Sequence, residues 1–101
     1  MALSKFVIRM NYNNSIKQAQ RLEEAAEDLR RLVRNDLDGS LDSVRSAWTG
    51  DNANAFLIKG EQLKEKISKT ASGMEQTARA IRTIAKNIYD AEMRNYYLIN
   101  G

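Results

Sequence analysis

The stretch Trp48-Thr49-Gly50-Asp51-Asn52, close to the middle of the chain, decides the fold. It is the strongest break in a sequence of 101 residues that contains no proline and only five glycines, a composition that favours long helices. Glycine supplies a permissive backbone, and Asp51 or Asn52 can cap a following helix. The stretch therefore predicts a turn, near residues 47–52, between two long helices.

Upstream of the turn, apolar residues recur every three or four positions, as on one face of an amphipathic helix. They are Ile16, Ala19, Leu22, Ala26, Leu29, Val33, Leu37, Leu41, Val44 and Trp48. Two successive four-residue steps, from Val33 to Leu41, break a strict heptad beside Gly39. This slip predicts a bend or local unwinding within a single helix.

Downstream of the turn, apolar and small residues alternate steps of three and four without a slip, which is typical of coiled-coil packing. The residues of this seam that we expect at a dimer interface are Phe56, Leu63, Ile67, Met74, Ile81, Ile84 and Ile88. Ala71, Ala78 and Ala85 lie beside the seam at seven-residue spacing. They predict a second contact surface, which a lone hairpin would leave in water and a four-helix bundle would bury.

The sequence thus predicts an all-α fold, a helix-turn-helix hairpin of two long antiparallel helices that dimerises into a four-helix bundle. The run Phe6-Val7-Ile8 and the asparagines after it predict an extended N-terminal arm over residues 1–13, with the hairpin occupying 14–95. Residues 96–101 are expected to form a tail.

Counting outward from the turn, the second helix should overhang the first from about Ile88 onward. This overhang holds Tyr89, Tyr96 and Tyr97, an aromatic concentration at a terminus where residues are normally polar. Dimer packing and an exposed export determinant are equally good explanations of these tyrosines.

Composition excludes several classes of function. The chain has no histidine or cysteine, and its carboxylates are spread along the helices, so we expect no catalytic, cofactor or metal site and no enzymatic activity. The 16 basic and 13 acidic residues are interleaved, which favours solvated helix faces over a nucleic-acid surface. The N-terminal apolar run is too short for a signal peptide, and no stretch is long enough for stable membrane insertion.

A Trp-x-Gly turn midway along a chain of about a hundred residues, between two proline-free helices with heptad spacing, resembles the WXG-100 (ESAT-6-like) family. The resemblance covers roughly residues 14–95. It implies a hairpin that pairs as a homodimer or with a sister protein. It also implies a protein made in the cytoplasm and secreted without a cleaved signal peptide through an ATPase-driven type VII machine. The export motif would then be Trp48, Thr49, Gly50 and Tyr89.

The sequence departs from the family at its C-terminal signal, a tyrosine followed four residues later by Asp or Glu. Here Tyr89 is followed at that distance by Met93, and Glu92 stands one place early. This departure implies a divergent signal or one borrowed from a partner. The expected function is a small secreted substrate, or an escort for a larger toxin-like effector. The alternatives are a non-exported structural or adaptor coiled coil and, less favoured, a basic hairpin that binds nucleic acid.

Three features carry two interpretations each. Trp48 plugs the end of the hairpin, and it either does only that or also forms half of a recognition surface. Gly60 gives steric room to Trp48 or to a facing helix, an explanation that we prefer to a ligand contact. The basic row of Arg79, Arg82 and Lys86 is better explained as a solvated face than as a binding site, because no aromatic residues interleave with it.

Overall fold

The computed structural model describes residues 4–100, and all of its regular structure is helical. The elements are α1 (Lys5–Arg31), a π-helical segment (Leu32–Leu37), α2 (Asp38–Ala47) and α3 (Asp51–Asn100). The first three elements follow one another without a gap and form the first arm of an all-α hairpin, and α3 forms the second. The chain divides into two compact units. Unit 1 comprises residues 4–23 and 75–100, and unit 2 comprises Glu24–Met74.

Helix α1 begins much earlier than the sequence predicted. The Ser4 hydroxyl accepts a hydrogen bond from the Val7 amide at 3.1 Å, and its carbonyl accepts one from the Ile8 amide at 3.0 Å. Ser4 is therefore the N-cap, and the expected extended arm is wrong for residues 5–13. Residues 1–3 of that arm lie outside the described residues. The burial of Ile8 explains why this prediction failed. Ile8 is almost fully buried within unit 1, and this packing outweighs the low helix propensity of a β-branched residue.

The predicted local unwinding is confirmed as the π-helical segment, which lies just before Gly39. The Asp38 amide donates to the Val33 carbonyl, a bond that spans five residues instead of four. The buried residues Ala19, Ala26 and Val33 are seven residues apart, whereas Leu41 follows Val33 by eight. One extra residue in the π-helix absorbs this slip and returns Leu41 to the buried row.

The two arms are joined through Trp48, Thr49 and Gly50. The Trp48 amide donates to the Val44 carbonyl at 2.9 Å, and the extended backbone of Trp48 (φ −111°, ψ 145°) ends α2. Gly50 has φ +97°, a conformation that side-chain-bearing residues rarely adopt. Its carbonyl accepts the Asn54 amide at 3.1 Å, so the glycine of the motif starts α3.

Side-chain contacts show antiparallel arms in each unit. In unit 1, Lys5 lies 5.5 Å from the Tyr97 ring, Tyr12 packs on Tyr89, and Glu23 pairs with Arg82. As the residue number rises along α1, the partner's number falls along α3.

The same order holds in unit 2. Arg30 donates to the Ser72 hydroxyl at 3.1 Å, Asp38 pairs with Lys64 at 2.8 Å, and Arg45 pairs with Glu61 at 2.7 Å. The first arm and α3 therefore also run in opposite directions here.

Small residues fill the space between the arms, contrary to the prediction for the alanine row. Ala71, Ala78 and Ala85 are 0, 0 and 7% exposed, and so are already buried within the chain. They do not form a second surface that waits for a partner. Alanine permits close approach of two helices, whereas a larger side chain at the same positions would force them apart.

The predicted overhang of α3 from Ile88 onward is also wrong. Because α1 begins at Lys5, Tyr89 lies against Tyr12 and Tyr97 lies beside Lys5. The expected tail at 96–101 is helical as far as Asn100, whose side-chain amide donates to the Tyr96 carbonyl at 2.9 Å. Residue 101 lies outside the described residues.

Candidate functional site

Large apolar side chains remain exposed along one face of α3. Leu63 is 50% exposed and Ile84 57%, and Phe56 and Ile88 are exposed to a similar degree. The other residues that we expect at a dimer interface, Ile67, Met74 and Ile81, are half-buried. We call these seven residues the α3 apolar face. The apolar side of α3 thus divides into an inner row of alanines and an outer row of larger residues.

Charged contacts in unit 1 lie on the flank away from this face. Arg82 donates to both carboxylate oxygens of Glu23, at 2.6 and 3.3 Å. Ile84 follows Arg82 by two positions and so points to nearly the opposite side of α3. The hydrogen bond with Arg82 lowers the pKa of Glu23, and the same bond raises the pKa of Arg82.

Unit 2 has the same arrangement. Lys64 pairs with Asp38 of the first arm, and Glu61 pairs with Arg45. The hydrogen bond with Asp38 raises the pKa of Lys64. Leu63 lies two positions beyond Glu61 and projects toward the other flank. In each unit, therefore, the arms are bridged by charges on one flank and expose apolar side chains on the other.

Trp48 is 55% exposed, so it does not fill a core at the end of the hairpin. Its ring packs against Phe56, with centroids 5.8 Å apart and the planes tilted by 49°. The aromatic pair forms because Gly50 turns the chain so that the start of α3 passes Trp48. Sequence reasoning assigned Phe56 to the dimer seam and did not anticipate this contact. Trp48, Thr49 and Gly50 are all exposed at the turn.

Gly60 makes room for a facing helix, and Leu41 is the residue that occupies the space. A Cβ atom at Gly60 would overlap the Leu41 Cδ2 atom and would lie 3.3 Å from Cγ. Leu41 is itself buried, so it has little freedom to move aside. The close neighbour of Gly60 is therefore Leu41 of the facing helix and not Trp48.

Tyr89 lies in unit 1, where its ring centroid is 5.0 Å from that of Tyr12. The two rings border a recess whose other lining residues are Arg9, Asn13 and Lys86. The prediction that no aromatic residues accompany the basic row is therefore wrong for Lys86. The contact was missed because residues 1–13 were expected to be extended.

Comparison with known proteins bears on these surfaces. The family model described as proteins of 100 residues with WXG matches residues 7–93. No curated protein and no solved structure matches the chain. No helix within residues 4–100 is both long enough and apolar enough to cross a membrane. Since the match spans most of the sequence and includes the Trp48-Thr49-Gly50 turn, the chain belongs to the WXG100 (ESAT-6-like) family.

Proposed function

We propose that this protein is a small secreted substrate, or an escort of a larger effector, that acts as a dimer through the α3 apolar face. Family membership already implies a type VII secretion substrate and a non-enzymatic protein. The observation that carries the finer proposal is the exposure of large side chains at heptad spacing on α3, such as Leu63 and Ile84, while alanines occupy the inside.

Dimerisation follows from the cost of that exposure. A repeated apolar stripe on a long helix marks a protein contact, because burying it removes apolar surface from water. WXG100 proteins typically form dimers. The partner in our proposal is a second copy of this chain, or a sister protein with a matching stripe, packed antiparallel into a four-helix bundle.

The export surface in our proposal combines the turn of one chain with the tail of its partner. Trp48 and Phe56 offer an exposed aromatic pair, which supports a role in recognition beyond packing of the turn. An antiparallel dimer would bring this pair near Tyr89 of the second chain. Because Met93 stands where family members carry an acidic residue, we infer that a sister protein or a toxin-like effector completes the signal read by the type VII ATPase.

A secretion assay tests this proposal. We expect the intact chain in the culture medium of cells with a type VII ATPase, and its loss from the medium when that ATPase is deleted. Trp48→Ala should abolish secretion while leaving the dimer mass unchanged, because Trp48 packs on Phe56 at one end of the α3 apolar face and the residues from Leu63 to Ile88 are untouched. Normal export of Trp48→Ala would show that the tryptophan serves only the turn.

Point variants are preferable to removal of residues 88–101. That removal would delete Tyr89 and Tyr97, the partners of Tyr12 and Lys5, and would disturb the start of α1 as well as the tail. A dimeric protein that stays inside cells with an active type VII machine would favour the non-exported adaptor function instead.

A further inference from the structure

The two units differ in charge, although the signs are interleaved along the sequence. Unit 1 contains eight Lys and Arg side chains and four Asp and Glu side chains, a net charge of +4. Unit 2 contains eight basic and nine acidic side chains, a net charge of −1. The positive charge of the protein therefore belongs to the unit that contains both ends of the described chain.

The recess beside Tyr89 lies in this basic unit and measures about 320 Å³. Arg9, Tyr12 and Asn13 line it from α1, and Lys86 and Tyr89 line it from α3. Arg9 makes no hydrogen bond, ion pair or ring contact with any residue in the range 4–100. Lys86 pairs with Asp90 at 3.0 Å, but both side chains are substantially exposed and this pair is weak.

The lining offers mostly hydrogen-bond donors. The guanidinium of Arg9 and the ammonium of Lys86 can only donate, while the Asn13 amide and the two tyrosine hydroxyls can donate as well as accept. A carboxylate, which only accepts, complements this set. Because Asp90 already pairs with Lys86, Arg9 is the cation in excess, and the charge of the recess matches one further carboxylate.

An exposed stripe on α1 extends the recess. Phe6, Arg9, Met10 and Asn13 follow the spacing i, i+3, i+4 and i+7, so they share one face of the helix. All four are exposed, and Phe6 is 74% exposed. Two apolar side chains thus lie beside two donors, a pattern that complements an amphipathic helix carrying an acidic residue.

We propose that this stripe and recess form a second docking site, which binds an acidic amphipathic segment of a partner protein. An Asp or Glu carboxylate of that segment enters the recess and pairs with Arg9, while its apolar side chains pack on Phe6 and Met10. The site lies off the α3 apolar face, because Lys86 and Tyr89 project from α3 toward the flank away from Ile84. The inference does not depend on export.

The geometry favours a polypeptide over other anions. A recess that fits a single carboxylate suits one side chain, whereas a flat anionic membrane contacts protruding groups and cannot enter it. A nucleic-acid backbone needs a row of unpaired cations. The recess itself contains only Arg9 and Lys86, and Arg82, the next cation along α3, is bound to Glu23.

Fluorescence anisotropy with a designed peptide tests the site. The probe is a labelled helical peptide of about five turns, roughly 18 residues, with leucines along one stripe and glutamates beside it. Its twin carries glutamine in place of each glutamate. We expect Arg9→Gln to weaken binding of the glutamate peptide by about tenfold or more, as for loss of a charge-assisted hydrogen bond. Phe6→Ala should weaken it severalfold.

The matched control is Arg21→Gln, which removes the same charge from an exposed position of α1 in the same unit. It should change the affinity by less than about twofold, and circular dichroism should show the same helix content for every variant. Equal losses for Arg9→Gln and Arg21→Gln, equal affinity for the two peptides, or no peptide binding would overturn the proposal. It would also be overturned if phosphatidylglycerol vesicles or a single-stranded oligonucleotide bound more tightly than the peptide and with the same dependence on Arg9.

Discussion

At the scale of single residues, Gly60 and Gly73 provide opposite cases on the same helix. A methyl group at Gly60 meets Leu41, whereas a methyl group at Gly73 has no atom of residues 4–100 within 4 Å apart from its own stretch of helix. Both positions are helical, so alanine gains about 1 kcal/mol of helix propensity at each. The difference between them isolates the packing of the arms in unit 2.

We predict that Gly60→Ala destabilises the protein by about 1–2 kcal/mol, because overpacking outweighs the gain in propensity. Gly73→Ala should stabilise it by about 0.5–1 kcal/mol. Urea unfolding followed by circular dichroism, at one fixed protein concentration, measures both. If Gly60→Ala were as stabilising as Gly73→Ala, the arms would not approach as closely as the structure shows.

Glu23 gives the stability a dependence on pH. Its hydrogen bond with Arg82 lowers its pKa in the folded state, so the unfolded chain takes up a proton first as the pH falls. The stabilisation is therefore complete above the ordinary pKa of a glutamate and is lost as the pH falls through the lowered one. We predict that Glu23→Gln destabilises the protein at neutral pH and that this difference disappears in acid.

The control for this prediction is Glu24→Gln, since Glu24 is exposed and makes no ion pair within residues 4–100. It should leave the unfolding midpoint nearly unchanged at either pH. A difference between wild type and Glu23→Gln that persisted at low pH would show that the pair with Arg82 is not the cause.

At the scale of elements, the π-helix explains why a broken heptad still makes a continuous first arm. Deleting Asn35, an exposed residue within it, should restore seven-residue spacing between Val33 and Leu41 and convert the segment to α-helix. We predict that this deletion changes the free energy of unfolding by less than about 1 kcal/mol, because the buried row keeps its direction.

Deletion of Gln20, which is exposed in α1, is the matched control. It would rotate the preceding part of α1 by about 100° and turn Ile8 and Ala19 away from α3. This variant should lose several kcal/mol of stability. Equal damage from both deletions would mean that the π-helix is not simply one extra residue in the buried row.

The helices differ in how well their boundaries and faces could be predicted from the sequence. The turn at Gly50 and the two arms were predictable, because glycine and apolar periodicity act locally. The start of α1 was not, since the extended preference of Phe6-Val7-Ile8 is outweighed by the Ser4 cap and by the burial of Ile8. Periodicity also identified the apolar side of α3 without showing which half faces its own chain. The alanines face inward because the two arms approach too closely for larger side chains to fit between them.

The missing part of the candidate site has the same origin. Arg9 and Lys86 are far apart in sequence, and only a helical N-terminus brings them to one recess. Tyr12 and Tyr89 meet for the same reason. An error in one helix boundary therefore hid a complete surface, while the Trp48 motif, which depends on adjacent residues, was readable directly.

At the scale of the whole molecule, the central claim is that inner and outer residues of α3 have different tasks. In our proposal, Ala78 packs between the arms and stabilises the hairpin, whereas Ile84 packs at the dimer interface. An aspartate at Ala78 would bury a charge between the arms at a cost of several kcal/mol, so helix content should fall. An aspartate at Ile84 stays in water in the single chain and should spare the hairpin.

The most direct test is the mass in solution, by light scattering, of the wild-type chain and of Ile84→Asp, with circular dichroism on each. We predict a wild-type dimer of about 23 kDa, twice the 11.5 kDa of one chain, and an Ile84→Asp monomer whose hairpin remains helical. A stably folded wild-type monomer, or an Ile84→Asp protein that is still dimeric, would contradict the account.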